Sequence, residues 1–439
     1  MTAGQVRIPR ARLIVAAAAV IAGLAILWLS RDFNFYFDEW SFIFSAPDWQ
    51  LISYFQPHNE HPSMLPRLIY AVLLNTVGLR SYVPYMAVLL ALHVLNVFLL
   101  FELVRRRAGD LVGMAAAASL LFLGAGWENI LWAFQISFVG SVACGLAMLL
   151  ALESRRTLPA ALLLLASLMF SGIGLVFLVA AAARLFFEPT RRRELVWLVP
   201  VAAAFVAWYL VFGHNGTPPN PPAALANLMV LPLYVAWGLA SSAAALIGQG
   251  GAIFGPLVLV MAVVAIALGW TRRPPDAFAV SVALALVTFY VVTGVNRAQL
   301  GYQQSGAGRY VYEGALMWLL LLADPARELP WRGTWRPALV AAAFLMCFSS
   351  AALLYAFSVA KTAQMLREDD DFQALAAVRH DPCLNPAGAV DQLVIPQLLR
   401  PADYYRVVDL YGDPVAGRPL VGGPDFETAK TNLLKPGCG

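Results

Sequence analysis

Residues 10–40 read RARLIVAAAAVIAGLAILWLSRDFNFYFDEW. Between Arg12 and Arg31 lies an apolar run of about 19 residues, long enough for an α-helix to cross the hydrocarbon core of a bilayer. Arg7, Arg10 and Arg12 precede the run, and the positive-inside rule then keeps the N-terminus in the cytoplasm. The adjacent carboxylates Asp38 and Glu39 fall just beyond it, among aromatics, on the outer side. Basic residues followed by an apolar core also describe a signal peptide. No small-residue cleavage pattern precedes the polar loop, so the segment reads as an uncleaved first span.

The rest of the chain extends this reading. Of 439 residues, 60% are hydrophobic and only 13% charged, which excludes an ordinary water-soluble domain. The excess of basic residues sits in short clusters that act as topology signals, so no nucleic-acid surface is expected. Arg105-Arg106-Arg107, Arg155-Arg156, Arg191-Arg192-Arg193 and Arg272-Arg273 mark cytoplasmic ends. Threading the apolar runs between them gives an all-α polytopic membrane protein with about eleven transmembrane helices. Residues 31–80 form the first external loop, and 65–79, too short to cross, lie at the membrane surface. The stretch between Arg156 and Arg191 goes out and back in two short helices turning at Ser171-Gly172-Ile173-Gly174. Of 229–247 and 252–270 only one crosses fully; the favoured one is 252–270, with 229–247 re-entrant or interfacial. GHNGTPPNPPAA (213–224) is a rigid external connection. The transmembrane domain occupies 1–360, and a small extracytoplasmic domain occupies 361–439. Cys144 and Cys347 lie in apolar segments, whereas Cys383 and Cys438 are placed to form a disulfide if the tail faces an oxidising compartment.

Polar side chains beside a bilayer are costly, so their concentration at one face asks for a reason. Asp38, Glu39, His58, Glu60, His61, Arg67, Glu128, Arg297, Arg309 and Glu313 all map to the outer face, and any active site is external. A carboxylate among aromatics at a membrane surface suits a general base, its pKa raised by desolvation. Arg297, Arg309 and Lys361 lie near external helix ends, within reach of a phosphate, and Tyr310 adds a hydroxyl. Arginines there also serve as interface anchors. Glu128 and Gln135 face the same side as Asp38. Trp127 and Trp132 read as interfacial belt residues. His93 and Asn96, one turn apart within a span, suggest an interhelical hydrogen-bond cluster. Asp38, His58 and His61, with Glu60, offer a weaker alternative as a zinc set, against which Pro57 and Pro62 argue by making the segment irregular.

An Asp-Glu pair soon after the first span, followed by HPSML (61–65), resembles the first external loop of GT-C class membrane glycosyltransferases, in particular bacterial relatives of the protein O-mannosyltransferases. That family carries an HPPL-like motif at the second position; here Ser63 replaces a proline and Met64 is inserted before Leu65. LLNTVGLRSYVPYMAVLLALHVLNVFLLFELVRRRAG (73–109) is also similar to the family's surface helix, glycine and arginine-closed span. The resemblance covers the first 110 residues or so, and beyond them only the architecture.

The resemblance implies an inverting transfer of a sugar from a polyprenyl-phosphate donor to a cell-envelope glycan, lipid or protein acceptor, on the outer face of the plasma membrane. Asp38 would be the base and Glu39 a second catalytic residue. His58, Glu60, His61, Arg67, Glu128, Gln135, Arg297, Arg309 and Tyr310 would bind substrate, with membrane lipid as a further partner. It leaves the cofactor open, a divalent cation included. The competing reading is a transporter or flippase for a lipid-linked sugar, which calls for polar residues at mid-membrane and symmetric halves.

Overall fold

In the computed structural model, residues 1–215, 225–391, 394–395, 400–418 and 422–438 are described. Most of the 213–224 loop lies outside them. Among the described residues secondary structure is helical, with no β-ladder. The helices are α1 (Ala11–Leu29), α2 (Glu39–Ser45), α3 (Met64–Thr76), α4 (Val83–Ala108), α5 (Asp110–Leu121) and α6 (Glu128–Leu131). Then follow α7 (Ile136–Glu153), α8 (Thr157–Phe170), α9 (Gly174–Phe186), α10 (Leu198–Val211), α11 (Leu225–Ala245) and α12 (Gly251–Arg272). The chain continues with α13 (Ala277–Arg297), α14 (Gly308–Arg327), α15 (Trp335–Val378), α16 (Pro401–Tyr411) and α17 (Pro424–Leu433).

The first span shows how sequence becomes packing. Ala11, Val15, Ala19, Ala22 and Ile26 repeat at helical spacing and are buried, while Leu13, Ile14, Val20, Ile21, Leu24 and Trp28 on the other side are exposed. Ala19 and Gly23 are small enough for α4 to come close; a Cβ on Gly23 would stand 3.0 Å from Val94 Cγ2. The exposed apolar face has no place in water. It marks a multi-pass membrane protein.

Among the described residues eight helices are long and apolar enough to cross a membrane by themselves, against the eleven or so crossings expected from the sequence; α5, α8 and α9 are shorter apolar helices. The difference has physical causes. α5, α8 and α9 have 12, 14 and 13 residues, giving rods of about 18–21 Å against a hydrocarbon core of about 30 Å. α14 carries Arg309, Glu313, Asp324 and Arg327, and much of its length is sheltered inside the bundle.

The basic clusters gather at one end. Arg12 and Arg105 both bond Glu102, and Arg106 reaches Glu153. Arg107 bridges Asp276 and Asp324, and Arg191 holds Glu194 and the Leu152 carbonyl. Both α11 and α12 pass the length test. Yet the Asn227 amide bonds Val295 O and Gln299 at the far end of α13, and Arg272 lies beside Arg107. The two helices together therefore make one net passage. Within the bundle, His93 Nδ1 lies 2.9 Å from Tyr312 Oη, and the Asn96 amide donates to Tyr312 Oη and Val139 O. This is the expected interhelical cluster, with Tyr312 its third member.

α15 is 44 residues long and continues unbroken past Lys361 to Val378. Its far half packs beneath the first loop. Trp40 packs against the stacked pair Phe372 and Tyr404 (ring centroids 5.1 and 5.9 Å away), and the Asn34 amide donates to Asp369 at 2.7 Å. Arg418 bonds Asp369 and the carbonyls of Asp32 and Phe33, while Arg406 pairs with Asp48. Cys383 and Cys438 form a disulfide that ties α15's exit to the end of α17.

Candidate functional site

The first loop reverses direction at Phe37, whose φ of +50° is uncommon for any residue but glycine and sterically unfavourable for an aromatic one. That turn splits the acidic pair. Glu39 enters the loop's interior, fully buried, where its carboxylate accepts from Tyr36 N–H (2.8 Å), Tyr70 O–H (2.6 Å) and Tyr82 O–H (3.0 Å). Burial still pushes its pKa up to about 7. Tyr82 Oη in turn accepts from Ala133 N–H at 2.8 Å, so Glu39 joins the first loop to the second. It lines neither of the two cavities beside the loop, and its bonds hold the loop together.

Asp38 points the other way, into a cavity of about 310 Å³. His58, His61, Gln135, Arg297, Arg309 and Tyr310 share its lining. Burial raises the Asp38 pKa to about 6, and the charges of Arg309 and Arg297 keep it from rising further. His58 Nε2 lies 3.9 Å from Asp38 Oδ1, without a hydrogen-bond partner. The ring is wedged against Phe42 and Phe134, and burial lowers its pKa to about 3, so it is neutral. His58 and His61 exchange backbone hydrogen bonds across Asn59-Glu60, a two-residue turn made possible by Asn59 at φ +52°.

A second cavity of about 330 Å³ adjoins the first and shares His61, Phe138, Arg297 and Tyr310 with it. Its walls are mainly apolar, with Ile173, Leu175, Val176, Phe205, Phe289 and Val292. The short α8 and α9 create this recess, because their turn stops directly under His61. A Cβ on Gly172 would approach His61 Nδ1 to 2.8 Å. Arg297 sits at the junction, paired with Glu60 at 2.6 Å.

Several expected residues are placed elsewhere. Arg67 lines neither cavity; its guanidinium donates to Pro57 O and lies over Phe42 and Trp49, bracing the loop. Glu128 stands behind the polar cavity, accepting from Arg309 N–H at 3.0 Å, with Arg309 Nε at 3.9 Å. Lys361 lies under the Tyr36 ring, 2.9 Å from its centroid, rather than at the cavity. Asp38, His58 and His61 do not converge on one point, and among the described residues no three metal-ligating side chains do, which corrects the zinc alternative. Trp132 is buried and so is not a belt residue, while Trp127 is half-buried. Trp127 stacks on Phe357, and Trp132 is buried against Tyr36, Phe37 and Phe134.

No family model matches the chain, and no curated protein matches it. Among solved structures it is similar to the crystal structure of ArnT from Cupriavidus metallidurans bound to undecaprenyl phosphate, with 14% identity and a TM-score of 0.49. The similarity covers 91% of this chain and 84% of that one.

Sequence reasoning missed Asn59, Ser63, Ser137 and Gln304, which add polar groups to the Asp38 cavity, and Phe134 and Phe138, which wall it. Phe134 and Phe138 carry a signal in their one-turn spacing. Ser63 alternates with Pro62, which faces a separate apolar groove. Gln304 precedes GAGRY in the stretch that brings Arg309, and only its polarity marks it.

Proposed function

We propose that this chain is a GT-C type membrane glycosyltransferase that moves a sugar from a polyprenyl-phosphate donor to a hydroxyl acceptor. The observation that carries the reading is the junction of the two cavities. One holds a half-buried carboxylate together with two arginines, the other is a greasy recess beside short helices, and Arg297 belongs to both. A donor of this class has the same division: a phosphate-linked sugar at one end and a hydrocarbon chain at the other.

In this reading the polyprenyl chain enters along the apolar recess and its phosphate meets Arg297 and Arg309. The acceptor hydroxyl lies against Asp38. With a pKa near 6, Asp38 is roughly nine-tenths ionised at pH 7 and basic enough to take a proton as the bond forms. The acceptor oxygen attacks the anomeric carbon, the bond from that carbon to the phosphate oxygen breaks, and its electrons leave on the phosphate. Attack opposite the leaving group inverts the anomeric carbon. Arg297 and Arg309 face the charge that develops there. Gln135, Gln304, Ser137 and neutral His58 supply hydrogen bonds for sugar and acceptor hydroxyls. The site faces the extracytoplasmic side of the plasma membrane, with the arginine-rich end in the cytoplasm.

The test is transfer in membranes supplied with polyprenyl-phosphate sugars. Wild-type protein transfers the sugar and Asp38→Asn does not. Absence of transfer by the wild type across a panel of such donors overturns the reading.

A further inference from the structure

The two arginines of the site differ in how they are neutralised. Glu128 is fixed from behind, its carboxylate held by the Arg309 N–H at the start of α14. Glu60 reaches Arg297 from the turn at Asn59-Glu60, and its side chain is 30% exposed against 17% for Glu128. The Arg297–Glu60 contact, at 2.6 Å, stands at the wall between the two cavities. An anion bound at Arg297 must compete with that carboxylate.

We propose that Glu60 is a resident counter-ion that the donor's phosphate displaces from Arg297 and that takes its place again as the polyprenyl phosphate leaves. This rests on the reading of Arg297 as the phosphate contact. The charges give the exchange a direction. A phosphodiester donor carries one negative charge, whereas the released phosphate monoester carries about −1.5 to −2 at pH 7. An uncontested arginine therefore holds the product more tightly than the donor, and turnover stalls on release. A competing carboxylate on a short turn weakens both complexes alike, so the product's absolute affinity falls and re-forming the Glu60–Arg297 pair speeds its release. Glu60 lowers affinity in order to permit release, the opposite of a substrate-binding role.

The exchange is measured by calorimetry on the purified full-length chain in detergent. The probe is farnesyl phosphate, a short polyprenyl phosphate, with farnesol as the uncharged control. Glu60→Gln should bind farnesyl phosphate about 10-fold more tightly than wild type or better, the scale of one charge-assisted hydrogen bond. Arg297→Gln should bind it more weakly, and farnesol should not distinguish the variants. In transfer assays Glu60→Gln should show stronger inhibition by the phosphate product and a lower kcat. A gain in affinity does not arise from a damaged fold; Glu60→Ala serves as the second variant if the first is not monodisperse. Equal or weaker binding by both Glu60 variants overturns the exchange while leaving the glycosyltransferase reading intact. Wild-type binding of farnesyl phosphate no better than of farnesol, with Arg297→Gln unchanged, overturns the phosphate reading itself.

Discussion

Asp38 Oδ1 and His58 Nε2 face each other at 3.9 Å on the wall of the polar cavity. The gap is too long for a direct hydrogen bond, and an oxygen placed to one side lies within bonding distance of both. A hydroxyl seated there donates to Asp38 and accepts from His58 when Nε2 carries the proton. Replacing His58 by Ala should raise the acceptor KM and lower kcat/KM by about 10- to 100-fold, the worth of a hydrogen bond in the site. His58→Gln, which keeps a donor, should recover part of the loss. Steady-state kinetics with acceptor as the varied substrate decides it.

The environment of Asp38 sets a pH dependence. Its pKa rises from 3.8 to about 6 because burial disfavours the charged form. kcat/KM should therefore climb about tenfold per pH unit below 6 and level off above it. His58, neutral down to about pH 3, should add no second limb in this range. A profile that is flat between pH 5 and 7 rules out Asp38 as the titrating base.

The same shift has a stability consequence. A folded-state pKa above the unfolded value means that ionised Asp38 destabilises the fold. The penalty is absent below pH 3.8, grows between 3.8 and 6, and is complete above that. Asp38→Asn should thus raise stability at pH 7 by up to about 3 kcal/mol while abolishing transfer. A thermal melt should show the gain at pH 7 and little difference near pH 4.

Glu39 responds differently because it holds the two loops together. Glu39→Ala strands the hydroxyls of Tyr70 and Tyr82 in a buried site and should destabilise by about 2–4 kcal/mol. Glu39→Gln keeps the shape and should cost less. Loss of folded yield in step with activity across these variants marks a structural role; an inactive variant of full stability contradicts it.

Gly172 tests the recess. Its absent side chain leaves room for His61, and Gly172→Ala should push the imidazole toward the cavity junction. Activity should fall several-fold with little change in melting temperature, since the atom displaced belongs to a side chain that can turn.

The membrane architecture was legible in the sequence because it follows from apolar length and arginine placement, both local quantities. The Cys383–Cys438 pairing was legible because these two cysteines lie in the polar tail while Cys144 and Cys347 lie in apolar segments. Counting crossings by length was less secure: the 14 residues of α8 run beside the 18 of α7, and their shortness makes the recess. The unequal fates of Asp38 and Glu39 were not legible. They depend on one left-handed residue, Phe37, and on Tyr70 of α3 and Tyr82 just before α4, which arrive from elsewhere in the chain. Charge and position along the chain point Arg67 and Lys361 toward a ligand, whereas in the fold both lie against aromatic rings from other elements. Nor does composition reveal that α15 runs on beneath the loop; the polar turn at Lys361 is the point where that helix leaves the bundle for the first loop's underside.

The central claim is that Asp38 is the base of a polyprenyl-phosphate-dependent glycosyl transfer. Its most direct measurement compares wild type with Asp38→Asn in reconstituted membranes, following both transfer from a labelled polyprenyl-phosphate sugar and binding of that donor. The account predicts a loss of about 10²–10⁴-fold in kcat with donor binding retained. Transfer by Asp38→Asn at the wild-type rate would contradict it.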